Sequence, residues 1–126
     1  MTIKEVSALF GVSQDTLRYY ERMGMIPPVG KTEAGIRDYT EEDRRWIGLA
    51  LCLKGSGLPG EVIARYVSLF RQGDETIGER LELLREQRNV LMEKRRRIDE
   101  AIGNIEHKIE RYEEALETGE LSWDRR

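Results

Sequence analysis

Thr16, Arg18 and Tyr19 place a hydroxyl, a guanidinium and a phenol within one helical turn, and Ser13 lies just before them. These groups bond phosphate oxygens and the edges of bases, and a guanidinium forks onto either. Further along, Lys31, Arg37, Tyr39 and Lys54 supply three more cations and another phenol suited to a phosphate backbone. The one thiol, Cys52, offers nucleophile and redox chemistry instead. It has no sequence-readable histidine partner, and no Gly-rich phosphate loop or catalytic acidic pair accompanies it, so the pattern is that of a binding protein and not of an enzyme. Cys52 and His107 lie on different elements and make a poor transition-metal site, so neither a metal nor another cofactor is expected.

The elements that must position these side chains are punctuated in the sequence. Thr2 with Glu5 forms a capping box, Ile3, Val6, Leu9 and Phe10 form one apolar stripe, and Gly11 supplies a left-handed stop. Ser13 then caps a second helix from about Gln14 to Met23, closed by Gly24. Leu17, Tyr20 and Met23 face the first helix, which leaves Thr16, Arg18, Tyr19 and Arg22 on or beside the outer face. This is a helix-turn-helix.

The paired prolines of Met25–Gly30 prohibit helix and favour an extended path. A polar loop from Lys31 to Gly35 leads to Ile36–Tyr39, whose alternation suits a short strand, so the two extended segments read as a hairpin wing with Lys31 at its tip. Thr40 and Asp43 start a third helix reaching about Lys54, and Gly55 to Gly57 end it. A fourth begins near Pro59 and stops near Gly73. Lys54 thereby sits at a second, smaller turn.

Thr76 and Glu79 read as another capping box, opening a helix of roughly forty residues and about 60 Å. Ile77, Leu84, Leu91, Ile98, Ile105 and Tyr112 occupy one heptad position, and Leu81, Ile102, Ile109 and Leu116 fall on the other with Arg88 and Arg95. The two arginines mark a seam where the helix meets something other than an identical parallel partner, or else their aliphatic stems cover the core edge. A one-sided stripe of this length needs a second chain, so a homodimer is expected.

Composition fits this division. In 126 residues, 39% hydrophobic and 36% charged residues are thin for a globule but ordinary for a chain containing a long charged helix. The expected domains are 1–73 for the helix-turn-helix, wing and helical linker, 74–118 for the dimerising helix, and 119–126 for a short flexible tail. No signal peptide and no apolar run approaching twenty residues is present, so a cytoplasmic protein without membrane contact is expected. A net charge of −3 gives no global pull toward nucleic acid, so DNA binding rests on where the cations sit.

The run Thr16-Leu-Arg-Tyr-Tyr-Glu-Arg-Met-Gly-Met-Ile-Pro-Pro28, the later Gly35-Ile-Arg-Asp-Tyr39 and the long terminal helix closely resemble the MerR family of bacterial transcription regulators. The resemblance covers nearly the whole chain. It implies a mainly α fold: a winged helix-turn-helix domain, a helical linker and a long C-terminal helix forming an antiparallel dimeric coiled coil. It further implies double-stranded promoter DNA with a near-palindromic operator, distorted so that RNA polymerase can use promoter elements set too far apart. On this resemblance Arg18 and Tyr19 enter the major groove, Ser13 and Thr16 lie at the N-terminal end of that helix, and Lys31, Arg37, Tyr39 and Lys54 face the backbone. The alternative is that Tyr19 or Tyr39 is a core aromatic. Tyr20, followed by a salt-bridging Glu21, reads as packing, and Arg22, Arg44 and Arg45 read as a solvated face.

Among such regulators the chain is most similar to the single-cysteine, short-tailed AdhR-like and NmlR-like subgroup, which implies a reactive inducer: aldehydes, other electrophiles or nitrosative stress. Cys52 falls at the edge of the apolar arc of the third helix, beside Arg45 and Gly48, where partial burial with nearby cations is expected. A modified sulfur there would not fit the packed edge; on chemistry alone Cys52 reads equally as a structural cysteine, a small residue of the core. Two other readings stand beside it: a non-covalent ligand at the junction of Tyr66, Phe70 and the coiled coil, and a coiled-coil adaptor.

Overall fold

The computed structural model describes residues 1–123. Five α-helices follow one another: α1 Ile3–Phe10, α2 Gln14–Arg22, α3 Glu41–Gly55, α4 Gly60–Gln72 and α5 Ile77–Thr118, with a 3-10 turn Asp74–Thr76 before α5. The chain divides into two compact units, residues 1–85 and residues from Glu86 onward.

In the first unit, local chemistry sets each helix start. The Thr2 hydroxyl accepts from Glu5 N at 3.2 Å while the Glu5 carboxylate accepts from Thr2 N at 2.9 Å, and Thr40 and Asp43 repeat the box at α3. Those bonds from Thr2 hold the Glu5 carboxyl below its ordinary range. Gly11, with φ 67°, turns the chain between α1 and α2, and Ser13 caps α2 by accepting from Thr16 N at 3.0 Å. The core then draws one fully buried side chain from each element: Val6, Leu17, Met25, Ile47 and Ile63. Leu9, expected in the α1 stripe, and Met23, expected to face α1, are instead exposed at 58% and 46%.

Two local expectations are corrected. No strand forms among the described residues, and the wing is closed by a single antiparallel bridge between Lys31 and Arg37. Pro27 and Pro28 have no N–H to donate to a ladder, and Tyr39 N donates to Met1 O at 2.8 Å rather than to the opposite arm. The Thr76–Glu79 capping box is also absent. The Thr76 hydroxyl is taken by the carbonyls of Leu69 and Gly73 and by Arg80 Nε, and Glu79 faces Arg65 at 3.6 Å. These bonds fasten the start of α5 to α4, and the first compact unit runs on to residue 85.

In the second unit, α5 carries ion pairs on its solvated side, such as Arg96 with Glu93 at 2.7 Å. After it, within the segment expected as a flexible tail, the Trp123 ring meets Tyr112 edge-on at 5.8 Å. Residues 124–126 of that tail lie outside the described residues. No described helix is long and apolar enough to cross a membrane.

Gly24 fixes how the chain leaves α2. Its φ of 78° is left-handed, and an added Cβ would meet only Ala64 Cβ at an ordinary 3.8 Å. Gly24→Ala is therefore expected to lower stability by about 1–2 kcal/mol through backbone strain alone. A denaturant titration with an unchanged midpoint would contradict that.

Candidate nucleic-acid interface

The outer face of α2 is the most exposed cationic and aromatic surface on the helix-turn-helix. Leu17 and Tyr20 anchor its inner face at 0% and 6% exposure, which leaves Arg18 and Tyr19 outside. Burial pushes the Tyr20 phenol above its ordinary range, in keeping with a packing role. Tyr19 is 44% exposed, with the Arg22 guanidinium 5.5 Å from its ring centre. Arg18 donates to Asp15 at 3.1 Å and to Gln14 at 3.4 Å. Exposed pairs of this kind are weak, so Arg18 can exchange them for a phosphate or a base edge.

At the start of α2, the hydroxyls of Ser13 and Thr16 lie 2.8 Å apart. Ser13 is occupied as the cap, and its position at the helix N-terminus still places the partial positive end of α2 beside both hydroxyls. Lys31 is exposed at the wing bridge, and Lys54 is exposed in the last turn of α3.

Arg37 is held more firmly. Its Nε donates to Glu21 Oε1 at 2.8 Å, and the other Glu21 oxygen accepts from Val29 N at 3.2 Å. That bond to Glu21 raises the Arg37 pKa above its ordinary value. The sequence shows both residues, but a pairing across the wing has no local pattern that would reveal it.

Tyr39 is corrected. Its ring is 1% exposed and forms part of the core with Val6, Ile47 and Ile63, so the expected wing-surface phosphate ligand is a buried aromatic here. Its hydroxyl is buried without a hydrogen-bond partner among the described residues, and burial raises its pKa against the opposing charge of Arg37. Its backbone is paired with Met1 in both directions, Tyr39 N donating to Met1 O at 2.8 Å and the Met1 amine donating to Tyr39 O at 3.0 Å, which holds the residue with its side chain inward.

Cys52 is corrected too. Expected at a partly buried edge, it is exposed, because α3 turns Ile47 and Ala50 inward and leaves Cys52 on the far side. Its carbonyl accepts from the Ser56 hydroxyl at 3.0 Å. Nearby in the same unit, Glu42, Arg45, Trp46, Leu49 and Phe70 line an open cavity of about 270 Å³. Trp46 and Phe70 meet edge-on at 5.2 Å. Tyr66 is tilted against Phe70 at 6.5 Å, and the lining comes from α3 and α4 rather than from the Tyr66 side. Sequence reading missed the Trp46 wall; the i, i+3 spacing of Trp46 and Leu49 was the available cue.

Against known proteins, residues 1–69 match the MerR HTH family of regulatory proteins. The HTH-type transcriptional regulator AdhR of Bacillus subtilis (strain 168) is 45% identical over 93 residues, covering 74% of this chain and 66% of that protein. Among solved structures, a MerR family transcriptional regulator from Listeria monocytogenes superposes with a TM-score of 0.83 and 40% identity, covering 94% of this chain and 90% of that one. The crystal structure of HiNmlR, a MerR family regulator lacking the sensor domain and bound to promoter DNA, gives 0.73 and 32% identity over 95% of each chain. These relatives are named as transcriptional regulators and not as enzymes. With its helix-turn-helix half matched as a family and its whole length matched by related structures, the chain belongs to the MerR family of helix-turn-helix transcriptional regulators.

Proposed function

We propose that this chain binds double-stranded promoter DNA as a homodimer, at a near-palindromic operator, and alters the DNA's path so that RNA polymerase can initiate. The observation that carries the reading is the exposed face of α2, with Arg18 and Tyr19 outward, Ser13 and Thr16 at its N-terminus, and Arg37 and Lys31 on the adjoining wing. The likeness to a relative solved on promoter DNA supports it. Lys54 supplies a backbone contact from the end of α3. Tyr39, being buried, serves in this reading by supporting the wing from beneath.

Dimerisation is supported by the apolar stripe of α5. Ile77, Leu81, Leu84, Leu91, Ile98, Ile102, Ile105, Ile109, Tyr112 and Leu116 are all exposed in the single chain, Leu116 at 87%. A contiguous stripe of this length marks a protein contact. An antiparallel coiled coil lays Arg88 and Arg95 against residues other than themselves, which avoids stacking like charges at the seam.

Cys52 is the proposed sensor of an electrophile, an aldehyde or nitrosative stress. Its exposure leaves the sulfur accessible to a dissolved reagent. Because the site is open, an adduct changes the bulk and polarity of the outer face of α3, and the wedge expected from a packed edge is dropped. A second reading, a non-covalent ligand, is favoured by the cavity walled by Trp46 and Phe70. Binding there would change Trp46 fluorescence without changing the protein's mass.

Arg18→Ala is expected to weaken operator binding by about tenfold or more while leaving the dimer intact, and Lys31→Ala to act more weakly. Electrophoretic mobility shifts on the gene's own upstream duplex measure both, and unchanged affinity for the first variant would sink the assignment. Sedimentation equilibrium is expected to give a dimer at micromolar concentration, and a monomer would remove that part of the proposal. Cys52→Ser is expected to abolish aldehyde induction in a promoter-reporter strain together with the adduct seen by intact-mass analysis. Full induction by the variant would exclude the sensor role.

A further inference from the structure

Glu21 stands where the recognition helix, the proline segment and the wing meet. Its carboxylate is mostly buried, at 15% side-chain exposure, and both oxygens are used: Oε1 accepts from Arg37 Nε at 2.8 Å and Oε2 from Val29 N at 3.2 Å. Val29 lies on the outgoing arm of the wing and Arg37 on the returning arm. One side chain of α2 therefore ties both arms to the helix that carries Arg18 and Tyr19.

This tie matters because the wing has little rigidity of its own. Its arms share one bridge and a few turn bonds, among them Thr32 N to Ile36 O at 2.8 Å and Asp38 N to Gly30 O at 2.9 Å. Among the described residues Arg37 engages Glu21 through Nε, and its two Nη groups make no hydrogen bond. The Arg37 side chain is 32% exposed and held through Nε, so its two Nη groups are left as a fork of N–H donors suited to a phosphate.

We propose that Glu21 is a positioning residue for DNA binding, acting through Arg37: it fixes the wing against α2 so that Arg37 and Arg18 engage one duplex together. The proposal rests on the DNA-binding reading above. A free arginine must be ordered when it meets a phosphate, and Glu21 has already ordered this one. Against this, the Glu21 anion offsets part of the charge of Arg37, and the opposite outcome, a mask that weakens binding, has a distinct signature.

The test uses the full chain and a fluorescein-labelled duplex carrying the gene's own upstream promoter. In Glu21→Gln, the one amide oxygen can accept from only one of Val29 N–H and Arg37 Nε–H, and the amide NH₂ faces the other, donor against donor, so the tie across the two arms is broken. Affinity is expected to fall about tenfold, with the slope of log affinity against log salt shallower by about 1. Glu21→Asp, which keeps the charge but cannot span both partners, is expected to lose a similar factor. In an Arg37→Ala background neither change should reduce affinity further, since the effect passes through Arg37. Thermal melts of each variant separate a binding loss from unfolding.

Losses that multiply in the Arg37→Ala background, unchanged affinity, or full retention by Glu21→Asp would each overturn the positioning role. Tighter binding by Glu21→Gln would instead make Glu21 a mask and would overturn it as well. If the unmodified chain fails to bind the duplex even at low salt, it is the DNA-binding reading that fails.

Discussion

The helix-turn-helix unit depends on α2 serving two surfaces with nine residues. Leu17 and Tyr20 must be buried against α1 and the rest of the core while Arg18 and Tyr19, their immediate neighbours, remain in water. The 100° step between successive helical residues permits this division only if the helix is locked in rotation. Ser13 locks it at one end, through its bond to Thr16 N, and the bonds from Gly24 and Met25 back to Glu21 and Tyr20 lock it at the other. A modest rotation of α2 would sink Arg18 and lift Leu17 at once.

The wing answers to the same constraint. With two prolines in its outgoing arm it cannot become an independent sheet, so its placement comes from outside itself: Tyr39 in the core, Met1 bonded to the Tyr39 backbone, and the Glu21 carboxylate across both arms. Recognition helix and wing thus form one mechanical piece.

What the sequence disclosed divides along the range of each interaction. The boxes at Thr2–Glu5 and Thr40–Asp43, the Ser13 cap and the glycine stops are contacts between near neighbours, and they formed as their spacing implied. Thr76 had the same spacing and a different outcome, since carbonyls at Leu69 and Gly73 reached its hydroxyl first. The alternation of Ile36–Tyr39 revealed two faces without saying which one is buried, and Tyr39 went inward while Ile36 is 59% exposed. The apolar arc of α3 is broad and does not say which part of it is buried: Ile47 and Ala50 face inward, and Cys52 falls nearly opposite them. The Arg37–Glu21 pair spans sixteen positions and has no periodic trace at all. The heptad stripe of α5 was the plainest of these patterns, because it repeats over six heptads in the same register.

The two tryptophans of the chain fall one to each compact unit. Trp46 stands edge-on to Phe70 in the first, and Trp123 edge-on to Tyr112 in the second. Each indole is in contact with an aromatic neighbour whose position depends on its own unit remaining folded. The protein therefore carries its own pair of optical labels: with either indole replaced by phenylalanine, the emission of the other reports on one unit alone. Order in the first unit and order in the second can in this way be followed separately, without attaching a dye to the only thiol.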